Sequence, residues 1–273
     1  FARLAHRLGM RLVLADVQAA VLEETVRELR FAGAQLIADV VDVADGDQVK
    51  ALADRSFAEF GAAHLLFNNA GVGGGGYVWE NDESDWRWIL GVNLMGVVHG
   101  IRHFLPRMIA ANARGEPGHV VNTASIAGLL CPPLMGVYNV SKHAVVALTE
   151  TLYHDLALAK STIGVSVLCP AFVPTGIAHS HRNRPAELAP GAPPTASQRM
   201  AQAASEKAVS SGRMTAAEVA DLTFDAVRAN RFYVFTHPKI MTAVDARFSA
   251  ILAGGVPSDP FASNPMVRPA GAA

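Results

Sequence analysis

The sequence predicts an α/β fold, a doubly wound parallel sheet with helices on both faces. Short apolar runs alternate along the chain with stretches of helical periodicity, which is the pattern of repeated β-α-β units. The chain has 273 residues, of which 51% are hydrophobic, so one large domain can bury a sizeable core.

Six apolar runs are predicted to be strands. Most of them are nearly continuously apolar, as expected for strands that are buried on both faces of a parallel sheet. In chain order they cover residues 11–15, 35–41, 64–67, 119–123, 164–169 and 232–235.

Helical patterns lie between these runs. The first begins near Gln18 and repeats apolar residues on one face. Two later helices have the sequence of a capping box, a side-chain acceptor followed three residues later by Glu or Gln. The boxes are Asp45 with Gln48, and Thr215 with Glu218. Further helices are predicted over residues 86–108 and from residue 137 onward.

The domain organisation is simple. Residues 1–253 are predicted to form a single domain. Within it, residues 178–214 are rich in Pro, Ala, Ser and Gly, and their position after the strand at 164–169 predicts a mobile flap over a site. The alternative is a surface loop that does not cover a site. Residues 254–273 are predicted to be a loosely ordered C-terminal tail.

Composition excludes several classes of function. The formal net charge is −1 without a basic block, which gives no indication of nucleic acid or of a charged membrane surface as partner. No apolar run is long enough to span a membrane. Two cysteines are too few for a disulfide framework and favour a cytoplasmic location. No metal site is predicted, because the histidine pairs 99/103 and 179/181 lack a third ligand at suitable spacing.

The most informative motif is Ser125-x12-Tyr138-x3-Lys142. Tyr138 and Lys142 are four residues apart, so on a helix they share one face, about 6 Å apart. A unit charge ~4 Å from a phenol, at an effective dielectric of ~20, contributes about 4 kcal/mol and lowers the phenol pKa. Tyr138 also lies in the first turn of its predicted helix, where the macrodipole favours a phenolate. Such a pair can exchange the proton of an alcohol while a hydride moves elsewhere.

A Tyr and a Lys at this spacing are more often a stacked pair on the protein surface than a catalytic pair. Here, however, other motifs accompany Tyr138 and Lys142. The strand at 64–67 is followed by an Asn-Asn-Ala-Gly turn that contains Asn69, Ala70 and Gly71. Asn93 lies in the helical stretch that follows, and the strand at 164–169 ends in the loop 170–175. This ordered set closely resembles the short-chain dehydrogenase/reductase family of NAD(P)-dependent oxidoreductases, from residue 1 to about residue 252.

The resemblance implies a Rossmann-like fold and a role for each matching residue. Ser125 would hydrogen-bond the substrate oxygen, Tyr138 would exchange its proton, and Lys142 would lower the Tyr138 pKa and hold the nicotinamide ribose. Asn93 would position a water that connects Lys142 to solvent; the alternative is a polar residue that bends its helix. The remaining cofactor contacts would come from Asp42, Val43, Asn69, Ala70, Gly71, Pro170, Val173 and Thr175. The family usually forms homotetramers or homodimers.

Asp16 at the end of the first predicted strand indicates the cofactor. A carboxylate there can accept both hydroxyls of the adenosine ribose and repels a 2′-phosphate. No Arg follows directly to reverse this preference. NAD is therefore expected over NADP, unless Asp16 only caps the next helix.

The family's first strand and its Gly-rich phosphate-binding turn are not found in this chain, which is therefore expected to lack a short N-terminal segment. The missing strand would lie centrally, between the strands that end near Asp16 and Asn68. The hypothesis is that the complete parent is active, whereas this chain alone binds the dinucleotide poorly; tight binding in calorimetry would contradict it. The alternative to an NAD-dependent alcohol/ketone oxidoreductase is a non-catalytic dinucleotide-binding or scaffold protein that retains the fold.

Overall fold

A computed structural model describes residues 1–261 and contains, within that range, six strands that pair in parallel. The α/β prediction with a parallel sheet is confirmed, and two of the six predicted strands have the expected bounds. The strands are β1 (Leu12–Asp16), β2 (Leu36–Val40), β3 (Leu65–Asn68), β4 (His119–Thr123), β5 (Gly164–Cys169) and β6 (Tyr233–Phe235).

The strands form two hydrogen-bonded sheets, with the break between β1 and β3. The strand order is β1-β2 in one sheet and β3-β4-β5-β6 in the other. Side chains join them where backbone hydrogen bonds do not. Phe1 stacks on Phe67 of β3 at 4.6 Å between ring centroids, and both rings pack with Leu12 of β1 and with Phe224. The division lies where a further strand was expected, and the absence of that strand from this chain stays a prediction.

Helices cover both faces of the sheets. Val120 of β4 packs into the cluster formed by α3, α5 and α6, whereas its neighbour Val121 packs into the cluster with α8. Successive strand residues point to opposite faces, which explains why the strand sequence is apolar without alternation. The helices are α1 (Ala2–Arg7), α2 (Ala19–Phe31), α3 (Gly46–Phe60), α4 (Glu83–Leu90), α5 (Gly96–Asn112), α6 (Gly136–Leu158), α7 (Ala196–Ser210), α8 (Ala216–Arg228) and α9 (Met241–Leu252).

The predicted capping boxes differ in outcome. Thr215 and Glu218 form a complete box before α8. The Asp45 carboxylate accepts from the backbone N–H of Gln48 before α3, but the Gln48 side chain accepts from Asp42 N at 2.9 Å and not from Asp45 N. The reciprocal half of the Asp45 box is therefore wrong, because Gln48 instead ties α3 to the segment that follows β2.

The single helix predicted over residues 86–108 is interrupted. A π-helical turn, Gly91–Met95, separates α4 from α5, and the fully buried Asn93 lies within it. Single π turns are uncommon and often occur at functional sites. The flap contains the end of a 3₁₀ stretch (Gly176–Asn183), a short 3₁₀ turn (Ala186–Leu188) and α7.

The chain end packs on the domain as far as it is described. Phe261 is buried and its ring lies 5.8 Å from that of Phe172, in the loop after β5. Residues 262–273, most of the predicted tail, lie outside the described residues. None of the helices within 1–261 combines the length and hydropathy needed to cross a membrane.

Candidate active site

Ser125 follows β4 directly and caps a short 3₁₀ turn, Ile126–Gly128. Its Oγ accepts from the backbone N–H of Ala127 at 3.1 Å and donates to the carbonyl oxygen of Pro170 at 3.3 Å. The Ser125 hydroxyl is also close enough to the Tyr138 phenol to act on its pKa, which it lowers. Ser125 thus lies between the loop after β5 and helix α6.

Tyr138 and Lys142 lie on one face of α6, at its N-terminal end. The Lys142 Nζ lies 5.8 Å from the centroid of the Tyr138 ring. Tyr138 is 8% exposed and Lys142 only 2%. No carboxylate within residues 1–261 pairs with this ammonium, and a charge so deeply buried without such a partner is rare and costly in free energy.

The expected effect of Lys142 on the Tyr138 pKa is not found. Burial raises the pKa of Tyr138, opposed by the nearby Ser125 hydroxyl, and burial lowers the pKa of Lys142 to about 8. The Lys142 ammonium donates to the backbone oxygen of Thr123 at 3.0 Å, and its Nζ lies 5.8 Å from the centroid of the Tyr138 ring. Spacing along a helix predicted the shared face but not the direction of the ammonium.

Thr123 connects Lys142 to the turn after β3. Its Oγ1 donates to Asn69 Oδ1 at 3.0 Å, while its carbonyl oxygen accepts from Lys142. A Cβ added at Gly71 would lie 3.5 Å from Lys142 Nζ and 3.4 Å from Asn93 Oδ1. Gly71 therefore leaves room beside the ammonium that a side chain would take up.

Asn93 is fully buried below this turn. Its Oδ1 accepts from Val72 N at 2.8 Å, and its Nδ2 donates to Val72 O and to Ser141 Oγ, both at 3.0 Å. Both amide N–H groups are thus used by the protein, and Asn93 fixes the turn after β3 against α6. These contacts make Asn93 a positioning residue, and the expected role of holding a water beside Lys142 stays a prediction.

A second buried polar chain was not anticipated from the sequence. Asn68 Nδ2 donates to Asn122 Oδ1 at 2.8 Å, Asn122 Nδ2 donates to Thr149 Oγ1 at 3.1 Å, and Thr149 donates to Val145 O at 2.6 Å. It ties β3, β4 and α6 together directly behind the site. The feature of the sequence that could have indicated this chain is the polar Asn122 within the otherwise apolar run of β4.

Gly128 is the point of closest approach between the loop after β4 and α6. An added Cβ would lie 2.7 Å from the backbone O of Lys142 and 2.8 Å from Val146 Cγ2. Because the helix backbone cannot yield cheaply, Gly128→Ala is expected to lower the free energy of unfolding by about 1–3 kcal/mol in chemical denaturation. Gly191→Ala is the control, since nothing lies within 4 Å of its Cβ position. Equal stability of the two variants contradicts the prediction.

The loop after β5 supplies the other predicted contacts. The Pro170 carbonyl oxygen also accepts from Ile126 N at 2.9 Å, Val173 is buried, and Thr175 caps the following 3₁₀ stretch. A cavity of about 520 Å³ adjoins Thr175, Ala178 and Lys207. Tyr138 is not among the residues that line it.

Asp16, Asp42 and Val43 lie farther from this cluster. The Asp16 carboxylate at the end of β1 accepts from Gln18 N at 2.8 Å. Asp42 accepts from Ala44 N, and Val43 O accepts from the ring of His99. A second cavity, of about 280 Å³, is lined by Asp42, Gln48, Trp88, Val92 and Leu188, among others.

The flap is closed against the segment after β3. The Ser180 hydroxyl accepts from Gly73 N at 2.9 Å, and Ser197 Oγ accepts from Tyr77 N at 2.9 Å. Arg184, with a side chain only 10% exposed, pairs with Asp85 at 2.6 Å. These contacts hold the segment 178–214 against the segment after β3 and against α4, and its role as a mobile flap stays a prediction.

The residues present fit a nicotinamide dinucleotide. Lys142 has donors beyond its bond to Thr123 O, Gly71 leaves space beside it, and Asp16 has a carboxylate oxygen free of the Gln18 contact for a ribose diol. They occupy the carboxyl edge of parallel strands, where open α/β sheets bind such ligands.

Comparison with known proteins agrees with this geometry. A sequence model described as "short chain dehydrogenase" matches residues 1–186. Over 252 residues the chain is 32% identical to the "CLA biosynthesis dehydrogenase/reductase" of Lactiplantibacillus plantarum. This match covers 91% of this chain and 87% of the relative. It is also 33% identical over 262 residues to the "C alpha-dehydrogenase" of a Sphingobium species, covering 95% and 83%.

Among solved structures, a short chain dehydrogenase/reductase from Burkholderia phymatum in complex with NAD superposes with a TM-score of 0.93. The two sequences are 54% identical, and the match covers 95% of this chain and 91% of that chain.

Proposed function

Since the chain belongs to the short chain dehydrogenase family, we propose that it interconverts a secondary alcohol and a ketone with NAD, and that Tyr138 is the proton donor and acceptor. It is an oxidoreductase of this family that acts on CH–OH groups with NAD or NADP.

One observation carries the proposal: a buried tyrosine, near a serine hydroxyl and next to a buried lysine, at the carboxyl end of β4. Within residues 1–261 the ammonium has a hydrogen bond to Thr123 O but no carboxylate partner, and an apolar residue would fill the space at a lower cost in free energy. A proton-transfer site requires such groups.

Each residue has a distinct task. When bound, the dinucleotide supplies the hydride or accepts it. Because burial raises its pKa, Tyr138 is a phenol at neutral pH, and in ketone reduction its Oη gives the proton to the carbonyl oxygen. Ser125 Oγ donates to the same oxygen and orients it. Lys142 holds the ribose next to Tyr138, and Asn93 keeps the turn after β3 in place.

A panel of apolar, alicyclic and aromatic secondary alcohols with NAD tests the proposal, followed through the absorbance of the reduced cofactor. Oxidation of at least one class, lost in Tyr138→Phe, supports it. Dinucleotide binding without turnover of any alcohol or ketone would favour a non-catalytic binding protein instead.

The preference for NAD is assigned to Asp16. In Asp16→Asn the side chain keeps its size and the acceptor for Gln18 N but loses the charge that repels a 2′-phosphate. We expect the ratio of NAD to NADP affinity to fall at least about tenfold, measured by titration of each dinucleotide.

Asp155→Asn is the matched control for Asp16→Asn. It removes the same charge from an exposed position near the far end of α6 and is expected to leave the ratio unchanged. Equal affinity of the unmodified chain for both dinucleotides would remove the argument from Asp16.

The proposal also includes a cellular location and an oligomeric state. Both cysteines are free thiols, which supports a reducing, cytoplasmic location. Helix α6 carries the exposed apolar residues Val140, Tyr153 and Leu158, and Met95 is exposed in the π turn before α5, which supports a homotetramer or homodimer built through this region.

A further inference from the structure

Arg182 extends from the flap toward the sheet that contains Asp16. Its Nε donates to Gln18 Oε1 at 3.1 Å, a contact between residues 164 positions apart. Its Nη1 donates to the backbone oxygens of Gly176 and His179 at 3.1 and 2.6 Å. The guanidinium therefore bridges the groove between the end of β1 and the loop after β5.

The charge of Arg182 has no partner among residues 1–261. No carboxylate lies within 4 Å of it there, and no acceptor in that range takes the two N–H groups of Nη2. These donors lie next to Gly176, since a Cβ at that position would be 3.0 Å from Nη2. Three acceptors fix the guanidinium in place and leave the two N–H groups of Nη2 available. A guanidinium held in this way can bind an anion.

Arg184, two residues later, provides a contrast. Its side chain is buried, pairs with Asp85 and lies over the Trp88 ring. Those contacts account for Arg184 as the link between flap and α4. Arg182 is exposed and has no equivalent partner, so fixing the flap does not explain its charge.

The two ends of the groove indicate which anion fits. Under the proposed function, Asp16 takes the adenosine ribose and Thr175 contacts the nicotinamide, so the middle of the dinucleotide passes between them. Arg182 reaches from Gln18, two residues after Asp16, to Gly176, one residue after Thr175. The only anionic group in the middle of NAD is its diphosphate.

We propose that Arg182 binds the cofactor diphosphate from the flap side, so that the flap takes part in cofactor binding. This inference rests on the proposed function. Charge-assisted hydrogen bonds from a guanidinium to phosphate are among the stronger polar contacts in proteins. The flap would then close over the dinucleotide as well as over the substrate.

The test compares ADP-ribose, which contains the diphosphate, with adenosine, which lacks it, by calorimetric titration up to millimolar concentration. Arg182→Gln is expected to weaken ADP-ribose binding about 10- to 100-fold and to leave adenosine binding within about twofold. Arg182→Lys, which keeps the charge without the fork, is expected to lie in between. Arg114→Gln, at the amino end of β4, removes the same charge and is expected to change neither affinity.

Each other outcome has a defined meaning. Unchanged ADP-ribose affinity in Arg182→Gln overturns the inference, and so does an equal loss for adenosine, which indicates an effect through Gln18. A loss seen with NADP but not with NAD or ADP-ribose assigns Arg182 to the 2′-phosphate and also overturns it. If the unmodified chain binds neither ADP-ribose nor NADH, the proposed function itself fails for this chain.

Discussion

Replacement of Tyr138 by phenylalanine is expected to lower kcat for the best alcohol of the panel by about 10²- to 10⁴-fold. The substitution removes the one hydroxyl that can exchange a proton with the substrate oxygen and leaves the aromatic ring on α6. Ser125 remains, but its pKa is far too high for it to replace the phenol at neutral pH. NADH affinity should change little, because the ribose contact belongs to Lys142.

Tyr153→Phe is the matched control for Tyr138→Phe. Tyr153 lies on the same helix, is 49% exposed and packs its ring on Phe232 at 5.3 Å, away from the Ser125 cluster. Its kcat should equal that of the unmodified chain. Chemical denaturation should show both variants within about 1 kcal/mol of the unmodified chain, since each loses at most one hydroxyl contact. Full turnover by Tyr138→Phe would dismiss Tyr138 as the proton donor.

The sequence predicted the strands well and the connections between them less well. Strands β4 and β5 appear at the expected residues because a run such as Val120-Val121 must be buried on both faces wherever it lies. The π turn at Asn93 was not predictable from periodicity. It depends on hydrogen bonds to Val72, 21 residues away, that exist only after the turn after β3 has packed on α4 and α5.

The same distinction applies to the candidate site. The spacing of Tyr138 and Lys142 determines that they share a face, but the direction of the ammonium depends on Thr123 O, which comes from another strand. The pKa of Tyr138 depends on its burial in the folded chain, which no local pattern describes. Likewise, the contact of Arg182 with Gln18 joins two segments whose sequences give no indication that they meet.

Lys142→Met is expected to abolish most turnover while making the protein more stable. Lys142 is 2% exposed, and the lowering of its pKa from 10.5 to about 8 corresponds to about 3 kcal/mol of destabilisation at neutral pH. Methionine fills a similar volume without charge but leaves the Thr123 carbonyl oxygen without its donor, which costs about 1 kcal/mol. The cost of burying the charge is larger than the cost of the lost hydrogen bond, so the free energy of unfolding at pH 7 should rise by about 2 kcal/mol. Meanwhile kcat/KM falls by about 100-fold or more, because the ribose contact is lost.

The pH dependence of this stability gain distinguishes relief of a buried charge from better packing. Below pH 8, Lys142 is protonated in both the folded and the unfolded chain, and the full cost of burial is present. Between pH 8 and 10.5 the folded chain releases the proton while the unfolded chain keeps it, so the unmodified protein becomes more stable relative to Lys142→Met as pH rises. Urea denaturation across this range should therefore show that the difference in unfolding free energy between the variant and the unmodified chain becomes smaller.

Lys160→Met is the control, because Lys160 is an exposed lysine just after α6. It should show neither the gain in stability nor its pH dependence. A constant advantage for Lys142→Met would attribute it to packing, and a less stable variant at pH 7 would mean that the ammonium is held by contacts strong enough to outweigh its burial.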